Sequence, residues 1–143
     1  MKKIFFSLVL LLIFIAAKAQ KTDSLKRAPT DTTVFTSVEK LPEFPGGNNE
    51  FFKYLQKNIH YPLEARSIQK QGKVIVQMIV EKDGSLSHIK VMRKFFPSLD
   101  TEAVRVVSAS PKWNPGMQNG FSLRVMYIVP ITFKLEVGTA KNN

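Results

Sequence analysis

Cysteine is absent from the chain. That excludes disulfides, thiolate-ligated zinc, a thiol nucleophile and the lipid-bearing cysteine of a lipoprotein, so the fold has to stand on packing alone. Histidine is almost as scarce. His60 and His88 are the only two, neither has a second histidine or a cysteine three or four positions on, and no His-Glu-x-x-His pattern occurs. Gly46-Gly47 lacks the spacing of a phosphate or dinucleotide loop, and no serine sits in a nucleophile elbow. Asp100 and Glu102 are two apart in a helical stretch and do not face each other, so they read as partners of the helix dipole rather than as an acid/base pair. No nucleophile–base pair can be named. The chain is not expected to be an enzyme, and no cofactor or metal site is expected.

Acidic residues are outnumbered, 11 against 21 basic ones, and the formal net charge is +10. Long hydrophobic runs are missing too. The only one, Ile4 to Ala17, is shorter than the about 20 residues a spanning helix needs. Lys2 and Lys3 precede it, and Ala17-Lys18-Ala19 follows as a small-x-small cleavage pattern, which together describe a secretory signal peptide. The alternative is an uncleaved inner-membrane anchor. An exported basic protein meets membrane surfaces, cell-wall polymer or acidic protein loops rather than nucleic acid.

What is present is one modest domain. The expected organisation is a signal peptide at 1–19, a polar flexible leader at 20–33, the domain at 34–137 and a disordered tail at 138–143. Val34 to Val38 is a short extended piece, and the Pro/Gly stretch 41–47 is a loop. Phe51, Leu55 and Ile59 recur every four residues as a helix face, capped by Asn48 or Asn49 and stopped by Tyr61-Pro62. Pro62 opens a second short helix with Leu63, Ala65 and Ile68 inward and Gly72 at its end. Val74, Val76, Met78 and Val80 share one strand face while Ile75 and Ile79 take the other, as in a central strand. Asp83-Gly84 is the favoured pair for a type I′ hairpin turn, and Ser85 to Met92 returns with weak alternation, as an edge would. Residues 98–110 form a helix with Leu99, Ala103, Val106 and Val107 inward and Ser98 as cap.

The last third poses a puzzle. Trp113, the only tryptophan, lies in PKWNPGMQNG, a segment crowded with proline, glycine and asparagine. One ring without interleaved aromatic partners does not make a stacking groove, so Trp113 is expected to pin a crossover while Pro115-Gly116 and Asn119-Gly120 turn the chain. From Phe121 to Leu135 the odd positions are apolar. Pro130 falls inside this strand, and a proline that cannot donate to a ladder belongs on an edge. If its nitrogen faces the open side, the even positions share that side. Ser122, Arg124, Met126 and Ile128 are then the candidate peptide-binding edge, with Gly84, Trp113, Pro115 and Gly116 structural.

The ordered set of segments resembles the C-terminal domain of TonB, the energy transducer of two-membrane bacteria. It comprises Pro42-Glu43-Phe44-Pro45-Gly46-Gly47, Tyr61-Pro62 with Ala65, Gly72-Lys73-Val74-x-Val76 and Asp83-Gly84. It continues with Leu99-Asp100-x-Glu102-Ala103, Pro111-x-Trp113-x-Pro115-Gly116 and Pro130-Ile131-x-Phe133. The resemblance implies an α+β fold, a three-stranded antiparallel sheet with helices packed on it. It also implies that the last strand is an edge on which a segment of an outer-membrane receptor, the TonB box, adds as a strand. A full transducer couples through an N-terminal anchor to the ExbB–ExbD motor and crosses the periplasm on a proline-rich spacer. Here residues 20–33 hold one proline, Pro29, and reach at most about 50 Å. The expectation is therefore a periplasmic module that binds receptor segments, with ExbB–ExbD a partner only if the N-terminal segment is retained. The alternative is a structural or regulatory domain that contacts peptidoglycan or acts as a receptor decoy.

Overall fold

The structure, a computed structural model, describes residues 32–135. The expected signal peptide, most of the leader and the tail lie outside the described residues.

The long strands are β2 (Gly72–Val80), β3 (Leu86–Val91) and β5 (Phe121–Phe133). They form an antiparallel sheet in the order β3-β2-β5. Two short strands extend it. β1 (Val34–Phe35) runs parallel beside β5, and β4 (Gly116–Gln118) forms a hairpin with the start of β5. The expected three-stranded antiparallel sheet is therefore present, with β1 and β4 added to it. Helices α1 (Gly47–Asn58), α2 (Leu63–Ser67) and α3 (Pro97–Ser108) complete the fold.

The core follows the apolar periodicities. Val74, Val76, Met78 and Val80 of β2 and Leu123, Val125, Val129, Ile131 and Phe133 of β5 are buried, as are Phe51 and Leu55 of α1 and Leu99, Ala103, Val106 and Val107 of α3. Short-range signals were less faithful. In α2 only Ala65 is buried, whereas Leu63 is 80% and Ile68 61% exposed. A helix of five residues is too short to present a continuous face, so one small residue makes the contact. α2 also ends at Ser67, and Gly72 opens β2 instead of closing the helix.

The caps differ as well. α1 starts at Gly47 behind Gly46 with no side-chain cap, so neither Asn48 nor Asn49 fills that role, and it ends at Asn58, before Tyr61-Pro62. α3 starts one residue earlier than expected, with Pro97 in its first turn, which leaves the Ser98 hydroxyl inside the helix, buried and without a partner. The Asp100 carboxylate accepts from the Phe95 amide at 3.0 Å instead.

The β2–β3 connection is a three-residue loop. The Gly84 N–H donates to the Glu81 carbonyl, the Glu81 N–H donates to the Ser85 carbonyl, and Gly84 alone has positive φ. A type I′ turn would need positive φ at Asp83 too. Asp83 instead accepts from the Ser85 amide and hydroxyl and pairs with Lys112 at 2.6 Å. The type I′ signature belongs to Asn119-Gly120, with φ of 51° and 80°, between β4 and β5. β3 carries a bulge at His88, φ 50°, where the register slips between Gln77 and Ile79. The slip brings Leu86 and Val91 to the core side together, which plain alternation would forbid.

Candidate functional site

Trp113 is 4% exposed and sits among three rings: Phe51 at 5.2 Å, Phe44 at 5.7 Å and Tyr127 at 5.8 Å between centroids. All three contacts are edge-on, the arrangement favoured by ring quadrupoles. Its indole N–H donates to the Ser110 hydroxyl at 3.1 Å, and its backbone N–H donates to the Gly84 carbonyl at 2.8 Å. The ring therefore anchors the irregular segment to α1, to the 41–47 loop and to β5 at once. Gly84 is fixed twice over. Its φ is 82°, and a Cβ there would lie 2.0 Å from the Trp113 carbonyl oxygen. At Gly116 a Cβ would lie 2.5 Å from the Val125 side chain. Pro115, between them, carries the chain from the Glu43–Asn114 bridge into β4.

The expected binding residues all lie on β5, and its two sides can be assigned. The β2–β5 register pairs Ile75 with Pro130 and runs from Gly72–Phe133 to Val80–Val125. The Ile75 carbonyl accepts from the Met92 N–H at 2.9 Å, so Ile75 turns its backbone polar groups toward β3. In a regular strand each residue turns its N–H and C=O to one side and the next residue to the other. The Ile75–Pro130 pair is then one that exchanges no bonds, and Pro130 turns its nitrogen and carbonyl away from β2. The odd parity faces β2, in line with the Leu135 N–H donating to the Gln71 side chain. The outward set is therefore Met126, Ile128, Pro130 and Thr132, together with Arg124 and Ser122 further back.

Not all of that edge is open. Val125 pairs with both Val80 and Phe35, which places β1 opposite β2. Arg124 lies across from Val34. β4 lies on the β2 side instead: Met117 exchanges its N–H and C=O with Lys40, so the Met117–Ser122 pair exchanges no bonds and Ser122 turns outward like the other even residues. Beyond Val125, on the side away from β2, no strand lies beside Met126, Ile128, Pro130 or Thr132 among the described residues. The structure thus groups Met126 and Ile128 on an unoccupied edge and gives Arg124 a strand neighbour, β1, on that side. Pro130 and Thr132, outside the candidate set, continue the open stretch. Their position could have been read from the same parity argument carried past Pro130.

Arg124 has a further task. Its guanidinium binds Glu81 at 2.6 and 3.1 Å, and its Nη1 donates to the Thr32 carbonyl. The bond from Arg124 holds the Glu81 carboxyl below its ordinary value despite burial, helped by the Ser87 hydroxyl. A second ion pair, Glu102 with Arg105, lies within α3, where it also meets the Asn58 carbonyl and the His60 amide at the end of α1. Burial pushes the Glu102 carboxyl up, but bonds from Arg105 at 2.6 and 2.7 Å and from the His60 amide at 2.7 Å more than reverse this. Glu102 is thus a buried tie rather than a surface partner of the helix dipole. Neither pair offers a reacting group. Among the described residues no set of three metal-ligating side chains converges.

The family model of the Gram-negative bacterial TonB protein C-terminal matches residues 57–135, more than half of the chain. Among solved structures, the solution structure of the Helicobacter pylori TonB C-terminal domain is 28% identical. It covers 64% of this chain and 87% of its own, with a TM-score of 0.42. No curated protein matches the chain. The matched residues run from the end of α1 to just past β5 and so take in β2, β3, α3 and the open-edged last strand: the chain belongs to the TonB C-terminal family.

Proposed function

We propose that this domain works in the periplasm by accepting an extended segment of an outer-membrane receptor, the TonB box, as an added strand along the open side of β5, in support of TonB-dependent transport. The observation that carries this is the outward-turned backbone of Met126, Ile128 and Thr132 with no strand beside it among the described residues. Main-chain bonds to these groups supply affinity, and alternate side chains supply selectivity. The role is binding, not catalysis. β1 covers only Arg124 and Val125, so a short peptide fits beside Met126 to Thr132 without displacing it, while a longer one has to compete with Val34 and Phe35.

The test is a titration with synthetic receptor-box peptides, followed by backbone amide shifts. Met126 and Ile128 amides are expected to move most, and Met126→Pro is expected to abolish binding while unfolding stays cooperative. If β1 is a built-in competitor, deletion of residues 20–38 raises the affinity for the longer peptides only. Absence of any shift at millimolar peptide would remove the receptor-binding reading and leave a structural or regulatory domain.

A further inference from the structure

The sheet has a second face. All three helices join the core on the side of Val74, Val76, Met78 and Val80. On the opposite face Ile79 is buried, Ile75 and Gln77 are half-buried and Lys73 is exposed. Strand alternation and register fix what lies there. Ile75 is flanked by Met92 and Pro130, Gln77 by Lys90 and Ile128, Ile79 by Ser87 and Met126, and Lys73 by Thr132. Met92 is 52% and Ile128 46% exposed. The result is an apolar stripe across three strands with lysines at its ends.

Charge on this face is one-sided. Lys73, Lys90 and Lys134 have no acidic partner among the described residues, and Glu81, the acid that alternation puts here, is neutralised by Arg124. At one end Lys73, Thr132 and Lys134 border a shallow depression of about 380 Å³ whose exposed lining is mostly apolar. Lysines around a shallow apolar surface suit a bilayer better than a folded partner. Their stems lie along apolar surface while the ammonium groups reach phosphate, and each contributes about 1 kcal/mol near an anionic leaflet. A second copy of the chain would meet the same lysines and be repelled.

We infer that this outer sheet face rests on anionic phospholipid, with Lys73, Lys90 and Lys134 reaching head groups from the ends of the stripe and Ile128, Met126 and Met92 meeting the interface. The inference is independent of peptide binding. It would also hold the open side of β5 at the membrane surface, where a receptor segment emerges.

The test is co-sedimentation of the exported protein, as isolated from cells, with vesicles of phosphatidylglycerol and phosphatidylethanolamine or of phosphatidylcholine alone. Binding is expected to the anionic vesicles. The pair K73E/K134E is expected to lower it about tenfold or more. The pair K53E/K57E, which changes net charge equally on α1, is expected to leave it within about twofold, since a specific face rather than total charge is at work. Ile128→Glu is expected to weaken binding with the melting temperature unchanged. Equal losses from the two lysine pairs, or equal binding to phosphatidylcholine, would overturn the inference. Competition by millimolar inorganic phosphate would assign the lysines to a free anion, and stronger retention on polyglutamate than on vesicles would assign the face to an acidic protein. Either result would overturn the lipid assignment too.

Discussion

Along β2, strand β5 is held by nine register pairs from Gly72–Phe133 to Val80–Val125, and along its other side only Val34 and Phe35 pair with it among the described residues. One stretch of chain therefore has a committed side and an open side, separated only by residue parity. Odd residues contribute buried side chains to the core and backbone groups to the ladder. Even residues turn both outward. Pro130 is tolerated in the middle of a long strand because its missing donor falls on the open side. The comparison teaches that stability and availability can be carried by alternate residues of the same strand, so that a change in one need not spoil the other.

The most severe way to break the committed side is through its anchor. Trp113→Ala is expected to cost about 3–5 kcal/mol, because Phe44, Phe51 and Tyr127 would face a cavity that the fixed loop cannot close. Chemical denaturation checks this; an unchanged midpoint combined with lost peptide binding would make the ring part of the open side instead. Next comes Gly84→Val, expected to cost about 2–4 kcal/mol from left-handed strain plus the clash with the Trp113 carbonyl. An unaltered midpoint would show that the hairpin and the Trp113 segment are not locked together.

A sharper test compares neighbours. Tyr127→Pro removes a donor turned toward β2, and Met126→Pro removes one turned to the open side. The first is expected to cost about 1–3 kcal/mol more than the second in matched denaturation curves. Equal costs would mean that the parity is wrong. The smallest effect is electrostatic. Glu81 and Glu102 are held below their ordinary value of 4.5, so their stabilisation is fully present above it and lost as pH falls through the folded value. The melting temperature is expected to be level from neutral pH to about 5 and to fall below about 4.5. Arg124→Gln, worth about 1 kcal/mol at neutral pH, is expected to make that fall shallower.

Much of this was legible beforehand. The faces of Phe51 and Leu55, of Leu99, Ala103, Val106 and Val107, and the alternation of β2 and β5 depend on burial along one element, which local periodicity records. Trp113, expected to pin the crossover, is 4% exposed. What was not legible depends on partners distant in sequence. Leu63 and Ile68 look like a helix face, but α2 has no room to use it. Asp83-Gly84 looks like a two-residue turn, but the Gly84 carbonyl and Cα face a segment that arrives about thirty residues later. Glu102 looks like a surface acid until the segment just after α1 supplies the His60 amide. The candidate edge was half legible. Parity put Met126 and Ile128 on the side away from β2, while the occupation of that side at Arg124 by β1 follows from a chain path that no local pattern encodes.

The register of β2 with β5 has a consequence in time as well as in space. β2 is the middle strand, yet its partner on one side is the last strand described, so the pairing of Gly72 with Phe133 spans more than half of the described residues. Loop closure of that length has to precede any reward from the contact, which makes the pairing late and slow. A chain delivered N-terminus first, from a ribosome or through a narrow pore, cannot complete the sheet until Phe133 has emerged. Until then β2 and β3 can form at most a hairpin, and the chain stays loose enough to be threaded.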